Sequence, residues 1–257
     1  MLGFVRAGQP IAGLEIRTEV NLPMGSGLGT SSVLAATVLK ALLSMRGEDV
    51  SVQELSDLVL ALEQFMTTGG GWQDQVGGIY PGAKLTMTGP GPRQRFRVEP
   101  VQCPTGFADY FVLYYTGIRR IAKDLLGQVV GRYLAREVQA VQVLHSIKTL
   151  AVEMAYAMKE SDWAYLGSLL DRHWQLNQIL DPHTTNAPIN TLLEQVRPYI
   201  SGAKLAGAGG GGFLMLLAKT PDDAQKLRRF LASLPGPGAL YEWASARLGL
   251  HVSEGGK

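Results

Sequence analysis

Two acidic residues and a loop of small residues are the parts of this 257-residue sequence whose types and spacing could do chemistry. Glu63 and Asp74 flank a glycine-rich segment, and Pro23–Gly29 is another glycine-rich loop that leads into three hydroxyl residues, Thr30–Ser32. Glycine lets a backbone approach an anion closely, and the first turn of a helix offers free N–H groups and a positive dipole end. The loop could therefore bind phosphate, while the two carboxylates could hold Mg²⁺ and orient an acceptor hydroxyl for phosphoryl transfer.

Hydrophobic periodicity assigns these residues to secondary-structure elements. Alternating apolar residues over Leu14–Val20 predict a strand that runs into the loop. Apolar residues at helical spacing predict a helix over about 30–45, and the capping box Ser-Val-Gln-Glu opens a second helix over about 51–66. Glu63 lies near the end of that second helix, and Asp74 follows a flexible loop that can fold back toward it.

Each of these features also has a purely structural interpretation. The loop has neither the Gly-Lys-Ser/Thr of a Walker A motif nor the glycine and acidic pattern of a dinucleotide site, so by itself it could simply cap a helix. Glu63 could be a solvated helix residue, and Asp74 could be a helix cap. Residue types and spacing leave both interpretations open.

The second half of the chain contains a further glycine-rich loop, Gly207–Gly212, between predicted strands at 203–206 and 213–218. So many glycines suggest that something passes close to the backbone, although a slack hairpin is the alternative. The remaining predicted elements are strands near 83–87, 94–98, 110–115 and 240–245, and helices at about 119–135, 136–160, 162–180, from Pro188 and from Pro221. Strands and helices in this order indicate an α+β protein.

The glycine-rich segments resemble those of the GHMP kinase superfamily of small-molecule kinases. The run from Pro23 to Ser32 is similar to the superfamily's phosphate-loop motif, Pro-x-x-x-Gly-Leu-Gly-Ser-Ser. Glu63 precedes Asp74 by eleven positions, as the metal-binding Glu precedes the catalytic Asp in the superfamily. The run Thr67–Gly78 resembles the C-terminal kinase region of fucokinases, and Lys204–Phe213 resembles a motif of fucokinases and heptose kinases.

This resemblance implies ATP and Mg²⁺ as cofactors. Ser31 and Glu63 would hold the metal, and Asp74 would be the catalytic residue that deprotonates or positions the acceptor hydroxyl. The residues that would bind the nucleotide are Pro23, Gly25, Ser26, Gly27, Leu28, Gly29, Thr30, Ser31 and Ser32.

A sugar-binding region is also implied. Arg120 belongs to a stretch shared by fucokinases and heptose kinases, where it could meet a phosphate or a sugar hydroxyl, or equally form a helix salt bridge. The candidate substrate residues are Gly70, Gly71, Trp72, Gln73, Arg120, Gly207, Ala208, Gly209 and Gly210.

The implied fold is the α+β GHMP kinase fold, with a partial ribosomal-protein-S5-like domain at 1–105 and a ferredoxin-like domain with extra helices at 106–257. The implied activity is phosphorylation of the anomeric hydroxyl of L-fucose, with a heptose-phosphate kinase and a non-catalytic nucleotide-binding fragment as rivals. Fucokinases carry a further kinase motif well upstream of the phosphate loop. We therefore expect an upstream kinase segment or a companion chain, and little activity from this chain alone.

Composition restricts the partners. The net charge of +2 is too small to argue for nucleic acid, and no apolar run approaches the roughly 20 residues of a membrane span. A single cysteine, Cys103, rules out an internal disulfide and a cysteine-based zinc site. We expect a cytoplasmic protein with a small-molecule sugar substrate and no nucleic-acid or membrane partner.

Overall fold

The computed structural model describes residues 14–66, 71–91, 95–119 and 123–253, with the backbone alone for 123–126. In the described part of the first half there are three helices and a two-stranded antiparallel sheet. The helices are α1 Thr30–Met45, α2 Val52–Phe65 and α3 Gln73–Ile79, and the strands are β1 Ala83–Thr88 and β2 Phe96–Val101.

A small apolar core holds the helices of the first half together. It is built from Ala36 of α1, Leu55 and Val59 of α2, and Ile79 of α3, all of them buried. The predicted capping box at the start of α2 is present, because Ser51 and Glu54 satisfy each other's backbone N–H groups. The core therefore ties together the elements that carry the two acidic residues and the hydroxyl run.

The second half is a four-stranded antiparallel sheet in the order β4-β5-β3-β6, covered by helices. Its strands are β3 Phe111–Tyr115, β4 Ile200–Leu205, β5 Phe213–Ala218 and β6 Ala239–Tyr241. Its helices are α4 Phe107–Tyr110, α5 Lys123–Leu134, α6 Val138–Lys159, α7 Trp163–Leu180, α8 Ala187–Val196 and α9 Pro221–Ser233, with short 3₁₀ turns at Pro182–Thr184 and Arg197–Tyr199.

Alternating side chains of this sheet serve two cores, as the two-residue period of a strand requires. Leu214 and Leu216 of β5 pack toward α8 and α9, whereas Leu217 packs toward α6 and α7. Helix α7 lies unusually close to β4, because a Cβ atom on Gly202 would fall only 1.7 Å from the carbonyl oxygen of Gly167. Every described helix is too short or too polar to qualify as a membrane span.

One predicted strand is wrong. Residues Leu14–Val20 form no regular secondary structure, and they run instead along α1, where they line one side of a groove of about 500 Å³. Apolar alternation produces a strand only when a neighbouring strand supplies hydrogen-bond partners, and no described strand pairs with this segment. Ile16 and Val20 are consequently half exposed.

The segment that contains Asp74 forms helix α3, an element that the sequence does not predict. Consecutive glycines at 77 and 78 disfavour a helix locally. Packing overrides this preference: Gly78 lies so close to α1 that an added Cβ would meet Val33 at 2.1 Å. Lys84 supports the far end of α3, since its amino group donates to backbone carbonyls of residues 77, 80 and 82, and burial lowers its pKa.

Most other predicted elements are present with shifted ends. The strand expected at 94–98 spans 96–101, and the last strand ends at Tyr241 instead of continuing to 245. The helix predicted from about 119 is described from Lys123 onward. The division into domains at residues 105 and 106 stays a prediction.

Candidate active site

The loop that precedes α1 has the backbone of an anion-binding site. Gly25, Gly27 and Gly29 have φ angles of 73°, 79° and 66°, in the left-handed region that glycine adopts without steric cost. Gly29 is the N-cap residue of α1, and no side chain caps the helix there. The first turn of α1 also carries no acidic residue. Its N–H groups and positive dipole end therefore suit a bound phosphate.

Side chains inside the loop stabilise its shape. The hydroxyl groups of Ser26 and Thr30 lie 3.1 Å apart, within hydrogen-bonding distance, and Ser26 is almost fully buried. Ser31, by contrast, is exposed on the first turn of α1. Ser26 consequently has a shaping role in the loop, whereas Ser31 presents its hydroxyl to solvent.

The glycine-rich loop between β4 and β5 touches the phosphate loop. The backbone N–H of Phe213 donates to the carbonyl oxygen of Ser26 at 3.0 Å, and a Cβ atom on Gly212 would lie 2.3 Å from that same oxygen. At its other end, the N–H of Gly210 donates to the carbonyl of Thr184. Residues 207–212 therefore connect the second half of the protein to the backbone that would hold the nucleotide.

Glu63 is buried beside the start of α1. The hydroxyl of Ser32 donates to its Oε1 at 2.5 Å, and the side-chain amide of Gln75 donates to its Oε2 at 2.6 Å. The residue is only 7% exposed. Glu63 is thus not a solvated helix residue, and its carboxylate joins the hydroxyl run of α1 to helix α3.

Asp74 lies against the phosphate loop. A Cβ atom built on Gly29 would be 2.9 Å from the Cβ of Asp74 and 3.3 Å from its Oδ1, so glycine is required for this approach. Asp74 itself is exposed in the first turn of α3. An exposed carboxylate beside an anion-binding loop can receive a proton from a substrate hydroxyl held there.

The other predicted site residues fall into three groups. Trp72 stacks on Phe96 of β2 with ring centroids 5.9 Å apart, and Gln73 is exposed. Gly209 packs against Thr184 rather than against the phosphate loop. Gly70 and Arg120 lie outside the described residues, and Gly71, Gly207 and Ala208 remain substrate residues by prediction alone.

Two contacts of Glu63 were not predicted from the sequence. The hydroxyl that donates to its carboxylate belongs to Ser32, for which the sequence predicts only nucleotide binding. Gln75 has no predicted role, although its amide donates to the same carboxylate. The Gln-Asp-Gln run was visible in the sequence, but only helix α3 turns its second glutamine toward Glu63.

The residues around Glu63 suit Mg²⁺ better than a metal ion that is held by protein side chains alone. The described residues contain no group of three or more His, Cys, Asp or Glu side chains that could hold an ion. Mg²⁺ usually binds through one or two carboxylates together with substrate phosphates and water. Glu63, which accepts from the Ser32 hydroxyl on the first turn of α1, fits this pattern. The metal role of Ser31 stays a prediction.

Two family models match the chain. The model for the GHMP kinases N terminal domain matches residues 2–82, and the model for the GHMP kinases C terminal region matches residues 154–236. The chain belongs to the GHMP kinase superfamily. A solved structure of Streptococcus pneumoniae phosphomevalonate kinase matches with a TM-score of 0.69 at 18% identity, over 94% of this chain and 77% of that chain. The predicted α+β GHMP kinase fold is confirmed.

Relatives within this superfamily include much longer proteins. The chain is 43% identical over 85% of its length to an Arabidopsis thaliana bifunctional fucokinase/GDP-fucose pyrophosphorylase, of which it covers 21%. It is 36% identical over 94% of its length to a Bacteroides fragilis L-fucokinase/L-fucose-1-P guanylyltransferase, of which it covers 26%. A Campylobacter jejuni D-glycero-alpha-D-manno-heptose 7-phosphate kinase is 27% identical over 92% of this chain and 69% of that protein. This GHMP kinase chain therefore spans about a quarter of the two fucokinase relatives.

Proposed function

We propose that this GHMP kinase chain transfers the γ-phosphoryl group of ATP to a sugar hydroxyl. The observation that carries the proposal is the approach of Asp74 to Gly29, which puts an exposed carboxylate beside a helix N-terminus suited to phosphate. Membership of the kinase superfamily supports the same reaction. Positioning and electrostatic stabilisation supply most of the catalysis in phosphoryl transfer, and such a site needs little covalent chemistry.

Each part of the site has a distinct task in this reaction. The glycine loop and the first turn of α1 bind the phosphates, because their N–H groups offset negative charge. Glu63 and the α1 hydroxyls would hold Mg²⁺, which when bound neutralises charge on the phosphates. Asp74 orients the acceptor hydroxyl and accepts its proton as the oxygen attacks the γ-phosphorus, and ADP leaves.

We propose L-fucose as the acceptor, with its anomeric hydroxyl phosphorylated to give fucose 1-phosphate. The Arabidopsis and Bacteroides relatives, at 43% and 36% identity, support this choice. The main rival substrate is a heptose phosphate, which the Campylobacter relative supports at 27% identity. A nucleotide-binding fragment without catalysis is the rival from another class, since the chain spans about a quarter of the fucokinase relatives.

A substrate panel with two readouts separates these proposals. Release of ADP from Mg-ATP is measured with L-fucose and with D-glycero-D-manno-heptose 7-phosphate, and binding of a non-hydrolysable ATP analogue is measured by calorimetry. From this chain alone we expect slow L-fucose turnover, which is still faster than heptose turnover and falls by about 10²-fold or more in Asp74→Asn. Asp57→Asn, on the exposed face of α2, is the matched control and should keep its turnover. Analogue binding without turnover on either sugar would instead support the nucleotide-binding fragment.

A further inference from the structure

We propose that Gln75 is a positioning residue that holds the Glu63 carboxylate in place for the metal side of the nucleotide site. This inference rests on the proposed kinase function. Gln75 follows Asp74 directly in α3, so one short helix would carry both the residue that orients the acceptor and the residue that steadies the metal ligand.

The contacts of Gln75 leave little freedom to the carboxylate. Its amide nitrogen donates to Oε2 of Glu63 at 2.6 Å, while the Ser32 hydroxyl donates to Oε1 at 2.5 Å. The amide must present nitrogen rather than oxygen, because an ionised carboxylate only accepts hydrogen bonds. Each carboxylate oxygen therefore accepts a hydrogen bond, Oε2 from α3 and Oε1 from α1.

Both donors are neutral, which matters for binding a cation. A carboxylate has about four acceptor sites, so these two hydrogen bonds do not by themselves exhaust its capacity for a metal. A lysine or arginine at position 75 could also satisfy Glu63, but its positive charge would compete directly with Mg²⁺. Gln75 orients the carboxylate while leaving its negative charge intact. Partners of this kind, which act through a metal ligand, typically change metal affinity by about 10- to 100-fold when they are removed.

The side-chain oxygen of Gln75, Oε1, indicates that Gln75 does more than stabilise the fold. Gln75 is 0% exposed, and its Oε1 has no hydrogen-bond partner among the described residues. A buried polar atom without a partner destabilises the folded state, and an apolar side chain of similar size would avoid that penalty. Retaining an amide here is explained by the bond that its nitrogen makes to Glu63.

Calorimetry of a non-hydrolysable ATP analogue, in EDTA and at a series of Mg²⁺ concentrations, tests the inference. The measured quantity is the ratio of Kd without Mg²⁺ to Kd with Mg²⁺. We expect Gln75→Ala to lower this ratio about tenfold or more while Kd in EDTA changes little. Gln53→Ala is the matched control, because Gln53 also donates its amide to a carboxylate, that of Asp57 at 3.0 Å, but on the exposed face of α2.

Gln75→Met gives a second test, which a merely structural role would not pass. Methionine has a similar length and is apolar, so it fills the buried site but cannot donate a hydrogen bond to Oε2 of Glu63. The Mg²⁺ ratio of this variant should therefore fall about tenfold or more, as in Gln75→Ala, although its side chain still packs in the core.

The outcomes distinguish this inference from the proposed function. If the unmodified protein shows a Mg²⁺-dependent Kd and Gln75→Ala shows the same ratio, the positioning role is wrong and the kinase proposal stands. If the unmodified protein binds the analogue without any Mg²⁺ effect, both are overturned. Should Gln75→Ala not fold, Gln75→Met decides the matter, and a Mg²⁺ ratio equal to that of the unmodified protein refutes the role.

Discussion

Replacing Gly29 by alanine tests whether the phosphate loop positions Asp74. The added Cβ would lie 2.9 Å from the Cβ of Asp74, whereas carbon atoms normally pack at about 3.5–4.0 Å. Asp74 must therefore move by about 0.6–1.1 Å. A misplacement of about 1 Å costs roughly 10²-fold in rate when a reacting group is displaced, so we expect kcat of Gly29→Ala to fall by that order.

The same substitution also strains the backbone, and Gly47→Ala measures that effect separately. Gly47 follows the other end of α1 with a φ of 69°, close to the 66° of Gly29, and no described atom lies within 4 Å of an added Cβ. Both variants should lose about 1–2 kcal/mol of unfolding free energy from the left-handed conformation. Their melting temperatures should accordingly fall together by a few degrees.

The assay combines urea unfolding with ADP release from Mg-ATP and L-fucose. Both variants should be destabilised to a similar extent, but only Gly29→Ala should lose turnover. The reasoning would be refuted if Gly29→Ala retained turnover within about threefold of Gly47→Ala, because Asp74 would then tolerate displacement or lie away from the reacting group.

Three further results are expected from the packing and the electrostatics. Gly212→Ala should weaken ATP-analogue binding by about tenfold, because its Cβ would lie 2.3 Å from a carbonyl oxygen of the phosphate loop. Gly236→Ala is the control: Gly236 also has a positive φ, but its Cβ would enter open space, so this variant should bind the analogue normally. Equal affinities would contradict the contact between the two glycine loops. Gly77→Ala should stabilise the protein by about 0.5–1 kcal/mol in urea unfolding, because alanine favours helix α3 and its Cβ meets nothing. Gly78→Ala should destabilise the protein, because its Cβ would push α3 away from α1. If Gly78→Ala were the more stable of the two variants, this packing would be wrong. Burial lowers the pKa of His173 to about 3, below its usual 6.5. Between these pH values the unfolded chain therefore binds more protons than the folded protein, and the free energy of unfolding should fall as the pH drops from about 6.5 to 3. His173→Gln should flatten that part of the urea midpoint profile, and an unchanged slope would argue that His173 is not the group responsible.

Local sequence signals predicted elements that depend on neighbouring residues in the chain. The capping box at Ser51 and Glu54 and the helix that follows it could be predicted because both partners lie within one turn. The bounds of α1 were predicted for the same reason, since its apolar spacing and the glycine loop before it are local. Residues 14–20 could not be predicted in this way, because a strand exists only beside another strand.

Helix α3 shows the opposite error, in which local preference hid an element. Its two glycines argue against a helix, and the contact between Gly78 and Val33 that favours it joins segments far apart in sequence. Without a predicted helix at 73–79, nothing could indicate that Gln75 faces Glu63. Gln75 was therefore missed because helix α3 was missed.

The sequence by itself determined the chemical groups of the site: a glycine loop, a run of hydroxyls and two carboxylates at a spacing typical of GHMP kinases. Tertiary structure alone decided which hydroxyl and which side-chain amide donate to Glu63. The physical reason is helical geometry. Successive residues on a helix point about 100° apart, so Ser31 and Ser32 face different directions, and only the packing of α1 against α2 and α3 selects between them.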